Sequence, residues 1–426
     1  MSDKLILLNF PDFDEELYFD AARTLGLEPV VFVTPATKSP RSSKVKMVQL
    51  SENSIAHVIH TLDDIGRDQI AGVLATGCTT AILAAEASAE IGRPNSNAQA
   101  IKICQDKFLA RKKLAETGIS DVGFAEAYSR EEAFEAARRL GDKVVVKPRT
   151  AAGSNGARLV ETPTAAADYF EQIAPRIAAD PGSNSDSSNG VTIEEFVVGP
   201  QFNVEVFDGR AIVVSQCRIA SPTHLIQVAV DTPAIVETRV SDEIAHYAEK
   251  VAAAVGYSRG IAHVEIRYSP KGPRLIEINP RIAGGVGPFA IKSALGIDLV
   301  LASMKFASGL PYTFEKDLTP NKSLTVATRF LVRGTEPVGG VSGYDRAKQI
   351  PGVMRVQLLP DRYHLPRTLS VMDRIGYVMN ADADADLAVR GAEEALDALC
   401  VEPASQFQIL SRRLRRSINK RLYANV

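Results

Sequence analysis

HVEIRYSPKGPRLIEINPR, residues 263–281, is the stretch that decides the fold prediction. Two strand-like apolar runs flank a proline-glycine turn, which predicts an antiparallel hairpin. Side chains two apart on a strand point to the same face, so Glu277, Asn279 and Arg281 project together, with Glu265 opposite them on the paired strand. Such oxygen ligands suit Mg²⁺, and the alternative is a solvated face with a Glu–Arg ion pair.

Upstream of this hairpin, the sequence KVVVKP at 143–148 predicts a strand that carries Lys147 into the small-residue loop TAAGSNGA at 150–157. Backbone N–H groups of such a loop bind phosphate oxygens, and Lys147 and Lys107 add positive charge. The loop matches neither common phosphate-loop motif, and either lysine alone is more often a solvated side chain. The combination favours a phosphate site.

The remaining pattern predicts a mixed α/β protein. Runs at 4–9, 29–33 and 70–75 alternate with helical segments, as in a parallel sheet, and strands from 191 to 278 alternate in polarity, as in an antiparallel sheet. A single helix is predicted over 99–118. The turn Thr76 to Thr79 follows the third run and is either a ligand-facing turn or a plain helix cap.

Three domains are predicted along the 426 residues. They are an N-terminal α/β domain at 1–100, a two-lobed region at 101–310 with its small lobe at about 120–198, and a C-terminal α/β lobe at 311–426. The polar stretch 180–190 is a surface loop or a linker. The basic tail at 412–421 is a solvated helix, or else binds an acidic partner, a membrane surface or nucleic acid.

Composition excludes several classes of function. Apolar residues make up 45% and charged residues 23%, which is typical of a globular protein. The net charge of −2 argues against nucleic acid as the main partner. We find no signal-peptide core and no apolar run of membrane-spanning length, so we expect a cytoplasmic protein without a membrane partner. The four widely separated cysteines predict reduced thiols rather than disulfides or a zinc site.

Four motifs and one loop occur in a familiar order: QDK at 105–107, VVVKP at 144–148, the small-residue loop, EEFVVGPQF at 194–202 and EINPRIAGG at 277–285. With them, residues 1 to about 400 resemble the ATP-grasp superfamily, and most of all its amino-acid and dipeptide ligases. The resemblance implies a parallel N-terminal domain, a two-lobed nucleotide-binding region, ATP and Mg²⁺ as cofactors, with Mn²⁺ as a substitute, and a homodimer.

The resemblance also implies a role for each residue that matches a family motif. Those implied to bind the nucleotide are Lys107 and Lys147 at the phosphates, Gly153 and Ser154 in a closing loop, Glu194 at the adenine amino group, and Glu195 and Val197 through hinge backbone. Those implied to act on metal and substrate are Glu265, Glu277 and Asn279 at magnesium, and Arg281 with the backbone near Gly284 at the reacting carboxyl group.

The implied reaction joins a small-molecule carboxylate to an amine. The carboxylate, expected to belong to an amino acid, attacks the γ-phosphate, and the amine then attacks the acyl phosphate, which releases phosphate beside ADP. One alternative is phosphorylation of bicarbonate or another small carboxylate, as in biotin carboxylases and purine-pathway enzymes. Another is a nucleotide-binding regulatory protein without turnover.

The sequence departs from the family pattern at three places, one of which is the polar stretch 180–190, which is longer than the family pattern leads us to expect. Many relatives have glutamate at the position of Gln201, where a ribose contact is expected. Dipeptide ligases often carry a histidine before the proline that corresponds to Pro233. Two histidines are weaker candidates: His263 shares a strand face with Glu265, and His224 lies in a predicted loop.

Overall fold

The structure is a computed structural model that describes residues 3–9, 14–33, 45–151, 153–178, 190–220, 225–365 and 370–404. Residues 180–189, His224 and the basic tail at 412–421 lie outside the described residues. Two compact units are present. The first falls within Met1–Ala152, Gly156–Cys217 and Thr232–Ser323, and the second within Gly153–Asn155, Arg218–Asp231 and Leu324–Val426.

The first unit begins with a parallel sheet in the order β3-β2-β1-β4. Strands β1, β2 and β4 are nearly continuous apolar runs because helices cover them, whereas β3 at the edge is mostly exposed. The elements are β1 (Lys4–Leu8), α1 (Glu15–Thr24), β2 (Glu28–Val33), β3 (Lys46–Gln49), α2 (Ile55–Ile65), β4 (Ile70–Ala75) and α3 (Cys78–Glu90). The predicted alternation of strands and helices is confirmed.

The helix predicted over 99–118 is wrong, because it is two helices. They are α4 (Ala98–Gln105) and α5 (Lys107–Glu116). Asp106 between them is extended, with φ −102° and ψ 107°, and its side chain accepts from the N–H groups of Phe108 and Leu109 at 3.0 and 3.2 Å. An aspartate cap satisfies N–H groups at a helix start, so a new helix begins there. Lys107 is therefore the first residue of α5.

A second, antiparallel sheet has the order β5-β8-β6-β7. Two helices pack on it and complete an apolar core of alanine, valine and isoleucine side chains. The elements are β5 (Phe124–Ala127), α6 (Arg130–Leu140), β6 (Val144–Pro148), β7 (Arg158–Val160), α7 (Pro163–Ala178) and β8 (Val191–Glu195). Strand β6 carries Lys147, and the neighbouring β8 carries Glu194.

The third sheet of the first unit is antiparallel in the order β13-β12-β9-β10, and α8 packs against it. Its elements are β9 (Gln201–Phe207), β10 (Arg210–Ile219), α8 (Thr238–Ala254), β12 (Ile261–Ser269) and β13 (Gly272–Asn279). Helices α9 (Gly287–Leu295), α10 (Leu299–Ala307) and α11 (Phe314–Asp317) follow. The predicted hairpin is confirmed.

The second unit contains the remaining strands and two helices. In it β17 pairs with β14 and β16, and β15 pairs with β18, all antiparallel. The elements are β11 (Gln227–Thr232), β14 (Thr325–Val332), β15 (Val338–Ser342), α12 (Tyr344–Lys348), β16 (Val353–Leu358), β17 (Arg374–Asp382), α13 (Ala385–Asp397) and β18 (Cys400–Pro403).

The predicted fold class is confirmed by the parallel N-terminal sheet and the antiparallel sheets beyond it. The predicted domain boundaries near residues 100 and 310 stay predictions. Within the part of the chain that the structure describes, no helix is both long and apolar enough to span a membrane.

Candidate active site

Two carboxylates face each other across the β12–β13 hairpin. Glu265 lies directly opposite Glu277 in the strand register, and His263 lies opposite Asn279. Burial and the charge of Glu277 raise the pKa of Glu265, although His263 and Arg281 oppose the shift. Two half-buried carboxylates that face each other repel unless a cation lies between or beside them, so their arrangement favours bound positive charge.

The donor set at this hairpin fits magnesium better than a metal that needs a closed protein cage. Asn279 is buried and adds an amide oxygen to the two carboxylates. Among the described residues no group of three or more His, Cys, Asp or Glu side chains could hold a metal ion. Magnesium is usually held by one or two carboxylates together with substrate phosphates. Glu265, Glu277 and Asn279 could therefore hold Mg²⁺ when a phosphate supplies further ligands.

Lys107 lies beside the paired carboxylates. Its Nζ is 3.5 Å from Glu277 Oε1 and donates to the carbonyl of Ala151, where the small-residue loop begins. The side chain is only 7% exposed, so the interpretation of Lys107 as an ordinary solvated lysine is wrong. A buried lysine next to a carboxylate is available for an anion that enters with its own metal ion.

Lys147 forms a buried charge cluster with Glu194 and Arg111. Its Nζ is 3.0 Å from Glu194 Oε1, and Arg111 Nη2 donates to Glu194 Oε2 at 2.6 Å. Burial lowers the pKa of Lys147, while Glu194 opposes that shift. Burial alone would raise the pKa of Glu194, but Arg111 and Lys147 outweigh it and lower the value. Glu194 is therefore an ionised acceptor.

One oxygen of Glu194 is available for the predicted adenine contact. No group in the described structure donates a well-aligned hydrogen bond to Glu194 Oε1, although that oxygen is buried. An amino group of a bound base would satisfy it.

Arg111 was missed by the sequence prediction, although its position four residues after Lys107 places both cations on one face of α5.

The two predicted hinge residues lie at and just beyond the end of β8. Glu195 Oε2 accepts from the N–H of Gly123 at 3.2 Å, and the carbonyl of Val197 accepts from Arg267 at 2.9 Å. These contacts fix the backbone after Glu194. The structure therefore brings Glu194, Glu195 and Val197 together on one short segment of the first unit.

Arg281 is held by Cys78, the first residue of helix α3. Its Nε donates to Cys78 Sγ at 3.0 Å, and Nη1 donates to the carbonyl of Ile282 at 2.8 Å. Cys78 Sγ also lies 3.2 Å from Asn279 Oδ1. Burial alone would lower the pKa of Arg281, but Cys78, Glu277 and Glu265 raise it. A side chain built at Gly284 would stand against the Arg281 guanidinium.

The predicted turn from Thr76 to Thr79 thus fits both of its interpretations. Gly77 is the N-cap of α3, and Cys78 contacts two of the predicted site residues. The sequence offered this turn as ligand-facing but did not predict the partners of Cys78, which lie 201 and 203 residues further along the chain.

Gly153 and Ser154 belong to the second unit. Both have positive φ, 67° and 58°. Ser154 Oγ donates to the carbonyl of Leu225 at 3.2 Å, and the carbonyl of Gly153 accepts from the N–H of Val371 at 3.4 Å. Their predicted closure over phosphate groups stays a prediction.

A second residue missed by the sequence prediction is Glu205 on β9. It lies directly opposite His263 in the register between β9 and β12, and the two side chains share a hydrogen bond. Burial alone would lower the pKa of His263, but the charge and hydrogen bond of Glu205 raise it. The only sequence signal was a charged residue inside the apolar run FNVEVF at 202–207.

Comparisons with known proteins identify one domain family and several similar proteins. Residues 140–288 match the ATP-grasp domain family. The uncharacterized protein y4rH of Sinorhizobium fredii is 26% identical over 410 residues, which cover 93% of this chain and 83% of that protein. Carnosine synthase 1 of Gallus gallus is 30% identical over 224 residues, which cover 50% of this chain but only 24% of that longer protein.

Among solved structures, the L-amino acid ligase from Bacillus licheniformis has a TM-score of 0.81, with 19% identity over 95% of this chain and 99% of that one. This likeness shows a shared fold along the whole chain. Residues 140–288 thus match an ATP-grasp domain, and the predicted resemblance of the chain to the carboxylate–amine ligases of that superfamily is confirmed.

Proposed function

We propose that this chain is an ATP-dependent ligase that activates an amino-acid carboxylate as an acyl phosphate and condenses it with an amine. ADP and phosphate are the other products. The observation that carries the proposal is the facing pair Glu265 and Glu277, with Lys107 on one side and Arg281 within the same unit. A protein that only binds nucleotide has less need of both carboxylates and the arginine.

The nucleotide would be held by cations and by one acceptor. Lys107 and Lys147 neutralise phosphate charge, and Glu194 accepts from the adenine amino group. Glu265, Glu277 and Asn279 would hold Mg²⁺, or Mn²⁺ in its place. When bound, that ion supplies charge neutralisation at the transferring phosphoryl group. Lys107 and Lys147 already contact Glu277 and Glu194, so binding would exchange these contacts for contacts to phosphate and metal.

Arg281 binds the reacting carboxylate, which carries a negative charge that would otherwise repel ATP. One carboxylate oxygen then attacks the γ-phosphorus, and ADP leaves. The amine attacks the acyl carbon next, and the Arg281 guanidinium and the backbone N–H near Gly284 stabilise the oxyanion that forms. Collapse of this intermediate breaks the bond from the acyl carbon to the phosphate oxygen, so that phosphate leaves and the amine nitrogen loses a proton to water. The acyl phosphate must be kept from water, which is the role we assign to closure of the loop with Gly153 and Ser154.

The substrate class rests on the relatives. Carnosine synthase 1, by its name, makes carnosine, and the L-amino acid ligase shares the fold of the whole chain. Both support an amino-acid carboxylate and an amine as substrates. We further propose a homodimer in the cytoplasm, which mass measurement in solution and fractionation of cells would test.

The test is phosphate release from ATP and Mg²⁺ across the twenty amino acids, singly and in pairs, with mass detection of products and a bicarbonate arm. Release that depends on a pair, with a condensed mass, supports the proposal. Release that depends on bicarbonate alone would replace it with carboxyphosphate chemistry. ATP binding without release in any arm would replace it with a binding-only function.

A further inference from the structure

The buried carboxylate of Glu205 connects two parts of the proposed site. These are the metal-binding side, which it reaches through His263, and the Arg281–Gly284 segment, which is proposed to bind the carboxyl group. Glu205 is 2% exposed and its partner His263 is 5% exposed. Glu205 Oε1 and His263 Nδ1 share a hydrogen bond across neighbouring strands. On its other side, His263 Nε2 lies 3.9 Å from Glu265 Oε1, one of the proposed magnesium ligands. Glu205 thus reaches the metal side of the site through His263.

The second oxygen of Glu205 holds the opposite half of the site. Oε2 accepts from the backbone N–H of Ala283 at 3.1 Å. Ala283 lies between Arg281 and Gly284, the two positions proposed to bind the carboxyl group and the oxyanion. A segment anchored at its centre has its flanking donors fixed relative to the anchor, so Glu205 sets where the Arg281–Gly284 segment lies relative to the hairpin.

Stability is a poor reason for this arrangement. A buried charged pair costs several kcal/mol of desolvation, and apolar residues of similar size often serve stability equally well. Orientation is the better reason, because displacement of a catalytic group by about 1 Å can cost about 100-fold in rate. The same carboxylate satisfies a donor on each side, so the two halves of the site keep one relative position.

We propose that Glu205 is a positioning residue for the ligation reaction. It anchors the Arg281–Gly284 segment through the Ala283 N–H and orients His263 beside Glu265. This proposal rests on the proposed function. It predicts that loss of the anchor weakens use of the carboxylate substrate and lets activated intermediate be lost to water, while ATP is bound as before.

The decisive variant is Glu205→Met, which keeps the size of the side chain but removes both acceptors. We expect the KM for the carboxylate to rise about 10-fold or more, because the carboxyl-binding donors lose their anchor. We also expect more than one ADP per amide product and a KM for ATP within about twofold of the wild-type value. Glu205→Gln should recover most of the loss, because its amide oxygen still accepts from Ala283.

Glu249 offers a matched control outside the site. Its carboxylate also accepts a backbone N–H, that of Ala211 at 3.0 Å, and also lies beside a histidine, His246, at 3.6 Å. Glu249→Met removes the same kinds of contact from the same unit. We expect both KM values and the ratio of ADP to amide to stay as in the wild type.

A second readout needs no activity. Hydrogen exchange of the Ala283 amide, measured without ligand, should be protected in the wild type and at least about 10-fold faster in Glu205→Met, because the acceptor is gone. Unchanged exchange at Ala283, or an unchanged carboxylate KM in an active Glu205→Met enzyme, would overturn the positioning role alone. A wild-type protein that is inactive with every carboxylate would overturn the proposed function, and this role with it.

Discussion

In the first unit, buried cationic side chains are paired with carboxylates, and a bound nucleotide would change these pairings. The buried cations Lys107, Arg111 and Lys147 are each close to a carboxylate, either Glu277 or Glu194. Buried charges must be compensated, and here the protein compensates them itself. Phosphate groups that bind together with a divalent cation can pair with Lys107 and Lys147, while the metal ion binds Glu277. We therefore expect nucleotide and metal to bind together.

The first residue-scale prediction concerns Glu277. Glu277→Gln removes one of the two facing carboxylate charges but keeps the shape of the side chain. We expect turnover to fall by about 100-fold or more. Mutation of a residue that only hydrogen-bonds to a metal ligand already lowers metal affinity or activity by about 10- to 100-fold. Steady-state kinetics over a Mg²⁺ titration measure the effect, with the thermal midpoint as the control for folding. A fully active variant would contradict the assignment of Glu277 as a metal ligand.

The second residue-scale prediction concerns Cys78, whose Sγ contacts both Arg281 and Asn279. Cys78→Val removes a polar contact of about 1 kcal/mol, so the KM for the carboxylate should rise about fivefold while the KM for ATP stays unchanged. Cys78→Ser should keep most of the effect of the thiol, because the hydroxyl accepts and donates. The exposed Cys400 provides a control variant, Cys400→Ser. Equal kinetics for Cys78→Val and the wild type would refute the role.

At the scale of elements, one capping residue decides where Lys107 lies. Asp106 ends one helix, caps the next and receives two contacts from Arg149 Nε, both at 3.1 Å. Apolar periodicity continues across this break, which explains why the pattern alone predicted one helix. Helix propensity and apolar periodicity predict a helical face, but neither detects a side chain that hydrogen-bonds to backbone N–H groups and so starts a new helix.

Asp106 also gives the element-scale prediction. Asp106→Ala removes the cap and leaves Arg149 buried without its main partner, which should lower the free energy of unfolding by about 3–5 kcal/mol. Asp106→Asn keeps the cap and should cost less. Urea unfolding followed by circular dichroism measures both. If alanine and asparagine cost the same, the cap contributes nothing and the charge pair accounts for the whole effect.

Across the whole molecule, the chain leaves and re-enters each unit, because both units consist of three separate segments. In the second unit, Arg329 joins two of them. Its side chain is 2% exposed and donates to Asp231 and to Glu393, both at 2.6 Å. Asp231 ends one segment, whereas Arg329 and Glu393 lie in another, so this buried pair fixes their relative position.

The whole-molecule prediction compares two arginines that bind the same oxygen. Arg329 and Arg218 each lie 2.6 Å from Glu393 Oε1, but the side chain of Arg218 is 49% exposed. Arg329→Leu leaves Asp231 buried and unpaired and should cost about 3–5 kcal/mol. Arg218→Leu should cost less than about 1 kcal/mol. Urea unfolding of both variants tests the difference, and similar losses would show that burial does not control the strength of these pairs.

The sequence by itself determined the parts of this protein that depend on short-range pattern. It predicted the β12–β13 hairpin, because the pattern of each strand and the proline-glycine turn between them are local properties. From the same pattern, it predicted that Glu265 and Glu277 face each other. The order of the motifs gave the resemblance, which the matched family and fold confirm.

Only the tertiary structure decided which distant residues meet. Cys78 reaches Arg281 because the N-terminal sheet ends beside the hairpin, and Glu205 reaches Ala283 because β9 pairs with β12. Arg111 meets Glu194 across 83 residues of sequence. Such contacts depend on how sheets and helices pack, and the alternation of a single strand contains no information about its neighbours. The contacts that hold the site together were therefore visible only in the folded chain.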